Sequence, residues 1–104
     1  EFQNTQFVIA GLQTKIDAAR LMTYRAANMK DLKEDYGYMA SMAKLFASEV
    51  TMEVTTKAVQ LLGGNGYSKK FPVERMMRDA KVTEIYEGTS EIQKIVISNW
   101  LKLN

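Results

Sequence analysis

The first residues that suggest chemistry lie between positions 85 and 91, where Glu87 is followed at once by Gly88. A carboxylate that is buried beside a substrate has a raised pKa and can remove a proton as a general base. A neighbouring glycine would let a ligand approach the backbone closely. The segment also has a purely structural interpretation, because the helix dipole stabilises an acidic residue just before a helix. Residue types and spacing alone favour that structural interpretation.

A second unusual segment has three glycines in four residues, at positions 63, 64 and 66. Gly and Asn tolerate positive φ, so this segment can simply end a helix. It could also bring backbone N–H groups close to a phosphate. The segment has no P-loop lysine and hydroxyl residue and follows no strand pattern. It therefore matches neither a Walker motif nor a dinucleotide-binding fingerprint.

Composition narrows the available chemistry. The 104 residues contain no histidine and no cysteine, which excludes disulfides and leaves carboxylates, lysines and tyrosines as acid–base groups. We expect no metal site for the same reason. The net charge is +2 and the charges are interspersed, a pattern that does not favour a nucleic-acid binder. No apolar stretch approaches the roughly 18 residues of a membrane span, so no membrane partner is expected.

Helical periodicity predicts two long elements. Apolar residues recur every three or four positions over residues 3–29 and again over residues 35–62, with a polar break between them. The second stretch is apolar on two sides, which indicates a helix that is sandwiched between neighbours.

Two shorter elements follow. Pro72 suits the first turn of a short third helix. The last helix is expected to begin at Thr89 or Ser90, where Ser90 and Gln93 match a capping box. Two long helices, a short helix and a C-terminal helix predict an all-α fold, an antiparallel helical bundle of the up-and-down four-helix type.

Three stretches resemble the C-terminal region of acyl-CoA dehydrogenases, and of the short-chain or butyryl-CoA branch in particular. They are Leu-Gly-Gly-Asn-Gly-Tyr from position 62, Pro-Val-Glu-Arg-Met-Met-Arg-Asp-Ala-Lys from position 72, and Ile-Tyr-Glu-Gly-Thr-Ser-Glu-Ile-Gln from position 85. Lys70 departs from the family, which usually has an acidic residue or Asn there. The resemblance implies that residues 1–104 are the C-terminal helical bundle domain. An N-terminal helical domain, a middle β-domain and the first bundle helix are then expected outside this sequence.

The reaction implied by the resemblance is α,β-dehydrogenation of a short- or medium-chain acyl-CoA. Glu87 would accept the α-proton, and the β-hydrogen would leave as hydride to N5 of FAD. Gly88 and Tyr86 would contact the substrate, and ordinary aromatic packing is the alternative for Tyr86. The residues that the resemblance assigns to FAD, some of them to the FAD of a neighbouring subunit, are Gln3, Gln60, Leu61, Leu62, Gly63, Gly64, Thr89, Ser90 and Glu91.

The resemblance also implies partners: an electron-transferring flavoprotein, and further copies of the chain in a homotetramer or dimer. A bacterial cytoplasm is the expected location, and the mitochondrial matrix is the alternative. Arg78 and Asp79 are expected to form a structural ion pair or a cap.

Two other functions remain open on the sequence. A non-catalytic helical assembly module could keep the bundle and lose the chemistry, although Glu87, Gly88 and the glycine turn argue against that for the parent protein. A nitroalkane-oxidase-like relative is the other alternative. That branch is expected to have Asp at the base position, whereas this sequence has Glu87. We expect the 104-residue chain alone to be inactive and to bind FAD weakly or not at all.

Overall fold

The computed structural model describes residues 2–70, 72–86 and 88–103, and these residues form five helices and no strand. The helices are α1 (Phe2–Asp31), α2 (Gly37–Leu62), the single turn α3 (Gly64–Tyr67), α4 (Val73–Thr83) and α5 (Ser90–Leu103). The predicted all-α class is confirmed, and α3 is an addition where the sequence indicated only a helix end. Among the described residues, no helix combines the length and apolar character that crossing a membrane requires.

Helix α2 is the centre of the bundle. It packs against each of the other four helices, whereas the described part of α1 contacts α2 alone. The predicted sandwiching of the second long helix is therefore confirmed. The buried side chains that α2 contributes are Met39, Ser41, Ala43, Ser48 and Val50.

Helices α1 and α2 form an antiparallel hairpin. Near their connection, Ala26 and Met29 are buried together with Met39. Farther along the hairpin, Lys15 forms an ion pair with Glu53. This register places the first turn of α1 at the same end of the bundle as the C-terminus of α2.

The connection between the two long helices is tighter than the polar break suggests. The N–H of Glu34 donates to Met29 O at 2.9 Å, and the N–H of Lys33 donates to Lys30 O at 3.0 Å. Lys33 has a φ of 60°, so the helix ends in a Schellman motif whose left-handed residue is a lysine. Consequently α1 continues to Asp31, and α2 begins two residues later than the periodicity predicts.

Helix α5 runs back along the first half of α2. The rings of Tyr38 and Trp100 stack with centroids 4.0 Å apart and planes 7° from parallel. At the other end of α5, the side chain of Lys44 reaches the carbonyl oxygen of Gly88. These two contacts position the segment that precedes α5 against α2.

Candidate functional site

The connection from α4 to α5, residues 84–89, holds all three residues assigned to substrate and base. Glu87 lies outside the described residues. On one side of it, the N–H of Tyr86 donates to Val82 O at 3.0 Å. Across the connection, the N–H of Ser90 donates to Glu84 O at 3.2 Å. The described backbone of this connection is therefore held at both ends by hydrogen bonds.

Gly88 follows position 87 and has a φ of 102°, a conformation that L side chains rarely adopt. A Cβ atom there would lie 2.6 Å from Nε2 of Gln93. The resemblance assigns Gly88 to substrate contact, and the structure adds a conformational reason for glycine.

Lys44 is the residue of this region that sequence reasoning missed. Its Nζ donates to Thr83 O at 2.7 Å and to Gly88 O at 3.1 Å, and the side chain is partly buried. The lysine thus bridges the last turn of α4 and the residue after position 87. One signal was available: Lys44 follows Ala43 on a helix that the periodicity already predicted to be sandwiched.

The ring of Tyr86 lines two adjoining hollows between α2 and α4. The first, of about 260 Å³, is lined also by Lys44, Ala47, Ser48, Thr51 and Thr83. The second, of about 580 Å³, shares Thr51, Thr83 and Tyr86 with it and continues along α4 past Met76, Asp79, Ala80 and Val82. Tyr86 is 53% exposed, and both its contact with substrate and the alternative of ordinary aromatic packing stay predictions.

The start of α5 is capped one residue earlier than the capping box predicted. The hydroxyl oxygen of Thr89, rather than that of Ser90, accepts the N–H of Ile92 at 3.2 Å. The side-chain amide of Gln93 donates to Gly88 O at 3.4 Å instead of closing a box with Ser90. The predicted box is therefore wrong, although Thr89 is a capping residue as expected.

The glycine segment ends α2 as predicted. Gly63 has a φ of 62°, and its N–H donates to Gln60 O at 3.1 Å. Open space surrounds Gly63 and Gly64, where an added Cβ would meet nothing within 4 Å. The five residues from Gln60 to Gly64 are all exposed, so side-chain and backbone groups here are accessible to a ligand.

The residues assigned to FAD fall into two separate groups. Gln3 lies on the first turn of α1 and therefore at the same end of the bundle as the segment from Gln60 to Gly64. Thr89 caps α5, and Ser90 and Glu91 are its first residues, near Lys44. Lys44 and Leu62 are 18 residues apart on α2, which corresponds to roughly 27 Å at 1.5 Å per residue. The fold thus groups these residues at two places rather than one.

Arg78 forms its ion pair with a different acid from the one expected. Its Nε and Nη2 donate to the carboxylate of Glu74 at 2.9 and 3.3 Å. These hydrogen bonds hold the pKa of the Glu74 carboxyl below its ordinary value. The expected ion pair between Arg78 and Asp79 is therefore wrong: the partner of Arg78 is Glu74, and Asp79 lines the larger hollow.

Several known proteins are similar to this chain over nearly its whole length. The short-chain specific acyl-CoA dehydrogenase of Clostridium acetobutylicum is 56% identical over 98 residues, which cover 94% of this chain and 26% of that protein. The structure of butyryl-CoA dehydrogenase from Megasphaera elsdenii superimposes with a TM-score of 0.95 at 47% identity, covering 98% of this chain and 27% of that one. A structure described as the electron transferring flavoprotein of Acidaminococcus fermentans, in work on flavin-based electron bifurcation, contains a chain with a TM-score of 0.96 and 51% identity, covering 100% and 27%.

The chain spans about a quarter of the length of these relatives. The family model for the acyl-CoA dehydrogenase C-terminal domain matches residues 1–102, nearly all of the sequence. The chain therefore belongs to the acyl-CoA dehydrogenase family, as its C-terminal domain.

Proposed function

We propose that residues 1–104 are the C-terminal helical part of a flavin-dependent dehydrogenase that introduces an α,β double bond into a short- or medium-chain acyl-CoA. Glu87 accepts the α-proton in this proposal. The names of the Clostridium and Megasphaera relatives support the short-chain substrate class. The Acidaminococcus structure supports an electron-transferring flavoprotein as the partner that receives the electrons.

The observation that carries the proposal is the anchored backbone on either side of position 87. The N–H of Tyr86 donates a hydrogen bond to the last turns of α4, and the carbonyl oxygen of Gly88 accepts one from Lys44 of α2. A general base must stay within hydrogen-bonding reach of the proton that it removes. Fixed flanking residues are what such a base requires, whereas a surface glutamate at a helix start needs none of them.

Several of the described side chains near position 87 in the sequence are apolar and yet exposed. Ile85 is 56% exposed, Ile92 50% and Val82 44%. If an acyl chain and the rest of the enzyme cover these side chains, water leaves the neighbourhood of Glu87 and its pKa rises. A free carboxylate is a weak base toward a C–H bond, so this desolvation contributes directly to the chemistry.

Two parts of the chain have groups that fit FAD. At the end of α2, the open backbone of Gly63 and Gly64 and the exposed amide of Gln60 could contact the phosphates and ring edges of one cofactor. At the start of α5, Thr89, Ser90 and Glu91 lie beside helix N–H groups of the kind that bind anions. Because roughly 27 Å of helix separates the two places, we assign them to FAD molecules of two neighbouring subunits. The chemistry that FAD supplies when bound is acceptance of the β-hydrogen as hydride at N5.

The decisive variant is Glu87→Gln in the complete protein, assayed with butyryl-CoA and an artificial electron acceptor. We expect turnover to fall by at least ~100-fold, because a neutral amide cannot accept the proton. The flavin absorbance should remain, since a change from Glu to Gln preserves shape. Turnover at the wild-type level would move the base elsewhere.

A matched carboxylate serves as the control. Glu49 is exposed on α2, and Glu49→Gln removes the same charge away from the α4–α5 connection. We expect its turnover and flavin content to equal those of the wild type. An equal loss in both variants would indicate a general effect of charge rather than a base at position 87.

The assembly module is the second candidate, because large apolar side chains on α1 are exposed, Phe7 at 66% and Leu21 at 68% among them. Such side chains suit helix packing against another protein surface. The two functions differ in one measurable property. If the chain serves assembly alone, the wild type and Glu87→Gln will form the same oligomer, and neither will turn over butyryl-CoA.

A further inference from the structure

We propose that Lys44 is a positioning residue for the base, and that it acts by clamping the α4–α5 connection onto α2. This inference rests on the proposed role of Glu87. It adds a residue that does not react but fixes the backbone on either side of the base. Lys44 itself contacts neither substrate nor cofactor in this account.

The clamp consists of one ammonium group and two carbonyl oxygens. Nζ of Lys44 lies 2.7 Å from Thr83 O and 3.1 Å from Gly88 O. Thr83 is the last residue of α4, and Gly88 directly follows position 87. A single side chain therefore fixes the distance between the two ends of a short segment that includes the base.

A lysine suits this place for three physical reasons. The last carbonyls of a helix have no partner within the helix and carry partial negative charge, which a cation stabilises. An ammonium group has three donors and no acceptor, so it can bond two carbonyl oxygens at once. Hydrogen bonds to a charged donor are stronger than those between neutral groups.

The second bond to Gly88 is weaker and cannot replace the clamp. Nε2 of Gln93 donates to Gly88 O at 3.4 Å, near the limit of a hydrogen bond. Because Gln93 belongs to α5, its hydrogen bond links Gly88 to the following helix and does not link it to α2. Without Lys44, the described residues give Gly88 no hydrogen bond to α2.

The first test is local amide exchange in the complete protein with Lys44→Met, which keeps most of the length of the side chain and removes its donors. We expect the amides of Tyr86 and Ser90 to exchange at least roughly tenfold faster, because their hydrogen bonds belong to the clamped segment. Amides in the middle of α1 should exchange as in the wild type. Faster exchange throughout the chain, or unchanged exchange at both positions, would overturn the clamp.

The second test separates positioning from substrate binding. With butyryl-CoA, we expect Lys44→Met to lower kcat by roughly 10- to 100-fold, since a small misplacement of a reacting group can cost that much. KM should change by less than about threefold, because the binding contacts remain. Lys44→Arg should recover most of kcat, since a guanidinium can also bond two carbonyl oxygens.

Controls make failure of this inference distinct from failure of the proposed function. Lys102 is exposed on the last turn of α5, and Lys102→Met should leave exchange and kcat unchanged. If Glu87→Gln is inactive while Lys44→Met has wild-type kcat, the positioning role is wrong and the base assignment stands. If Glu87→Gln stays active, the base assignment is wrong and the positioning role falls with it, whatever the exchange rates show.

Discussion

At the scale of single residues, three glycines are required for two different reasons. Gly63 and Gly88 have positive φ, at 62° and 102°. Gly66 does not, but it is buried against α2, and a Cβ atom there would lie 2.9 Å from Cα of Val59 and overlap its carbonyl oxygen. Steric contact with backbone cannot be relieved by a rotamer change, so Gly66 closes the turn after α2 in a way that no other residue can.

We therefore expect Gly66→Ala to destabilise the domain by roughly 1–3 kcal/mol, the usual cost of inserting a methyl group into a packed site. Urea denaturation followed by circular dichroism would measure the change. Gly64→Ala is the matched control, since nothing lies within 4 Å of its added Cβ and its φ is not positive. That control should lie within about 0.5 kcal/mol of the wild type or be slightly more stable. Equal losses in both variants would contradict the contact with Val59.

At the scale of elements, the start of α5 depends on Thr89. Its hydroxyl accepts the N–H of Ile92, one of the first N–H groups of α5, which have no partner within the helix. The cap also orders the residue that follows Gly88. Loss of the cap should therefore weaken the first turn of α5 before it weakens the rest of the bundle.

Thr89→Ala is expected to cost about 1 kcal/mol in the free energy of unfolding. Ser90→Ala is its control, because the hydroxyl that caps the helix is that of Thr89. A thermal denaturation series on both variants would separate the two. If Ser90→Ala cost more than Thr89→Ala, the capping box with Gln93 would be the better description.

Most of the helical architecture could be predicted from the sequence, because an apolar stripe reports which face of a helix is buried. The stripe of α1 ends at the buried Ala26 and Met29, as its periodicity requires. Helix ends were less predictable. The left-handed residue that ends α1 is Lys33, and no local preference identifies a lysine for that conformation.

The position of Lys44 on a helix predicted to be sandwiched was the one signal for the support of the site, and it did not identify the partners of Lys44. Lys44 acts on Thr83 and Gly88, which are 39 and 44 positions away along the chain. A contact over that separation depends on the packing of three elements, and no spacing in the sequence encodes it. The resemblance to the family identified residues by type and order, whereas the fold was needed to show what fixes the backbone around them.

At the scale of the whole molecule, the bundle is elongated and open. Its radius of gyration is 16.1 Å, whereas a compact domain of this length would have roughly 13 Å. Its accessible surface is 7558 Å², whereas a compact monomer of 11.8 kDa would expose roughly 5,900 Å². The excess indicates a domain that is built to be covered by other protein surface.

Helix α1 contributes to this surface, because it contacts only α2 among the described helices. Leu21 and Tyr24 lie three residues apart on one face of α1, and they are 68% and 62% exposed. Exposed apolar side chains of this size favour association. In a purified sample, the protein surface with which they can associate is that of a second copy of the chain. We therefore expect the isolated chain to self-associate as its concentration rises, which sedimentation velocity would detect.

The double variant Leu21→Glu with Tyr24→Glu should shift the isolated chain to monomer without unfolding it. Exposed substitutions usually change the free energy of unfolding by no more than about 0.5 kcal/mol each, whereas two like charges on a contact face oppose association. Ser98→Glu with Asn99→Glu adds the same charge at exposed polar positions of α5, which does not contact α1, and should leave association unchanged. A wild-type chain that stayed monomeric at every concentration would contradict copy-to-copy packing through this face. The cover of α1 would then have to come from another part of the polypeptide.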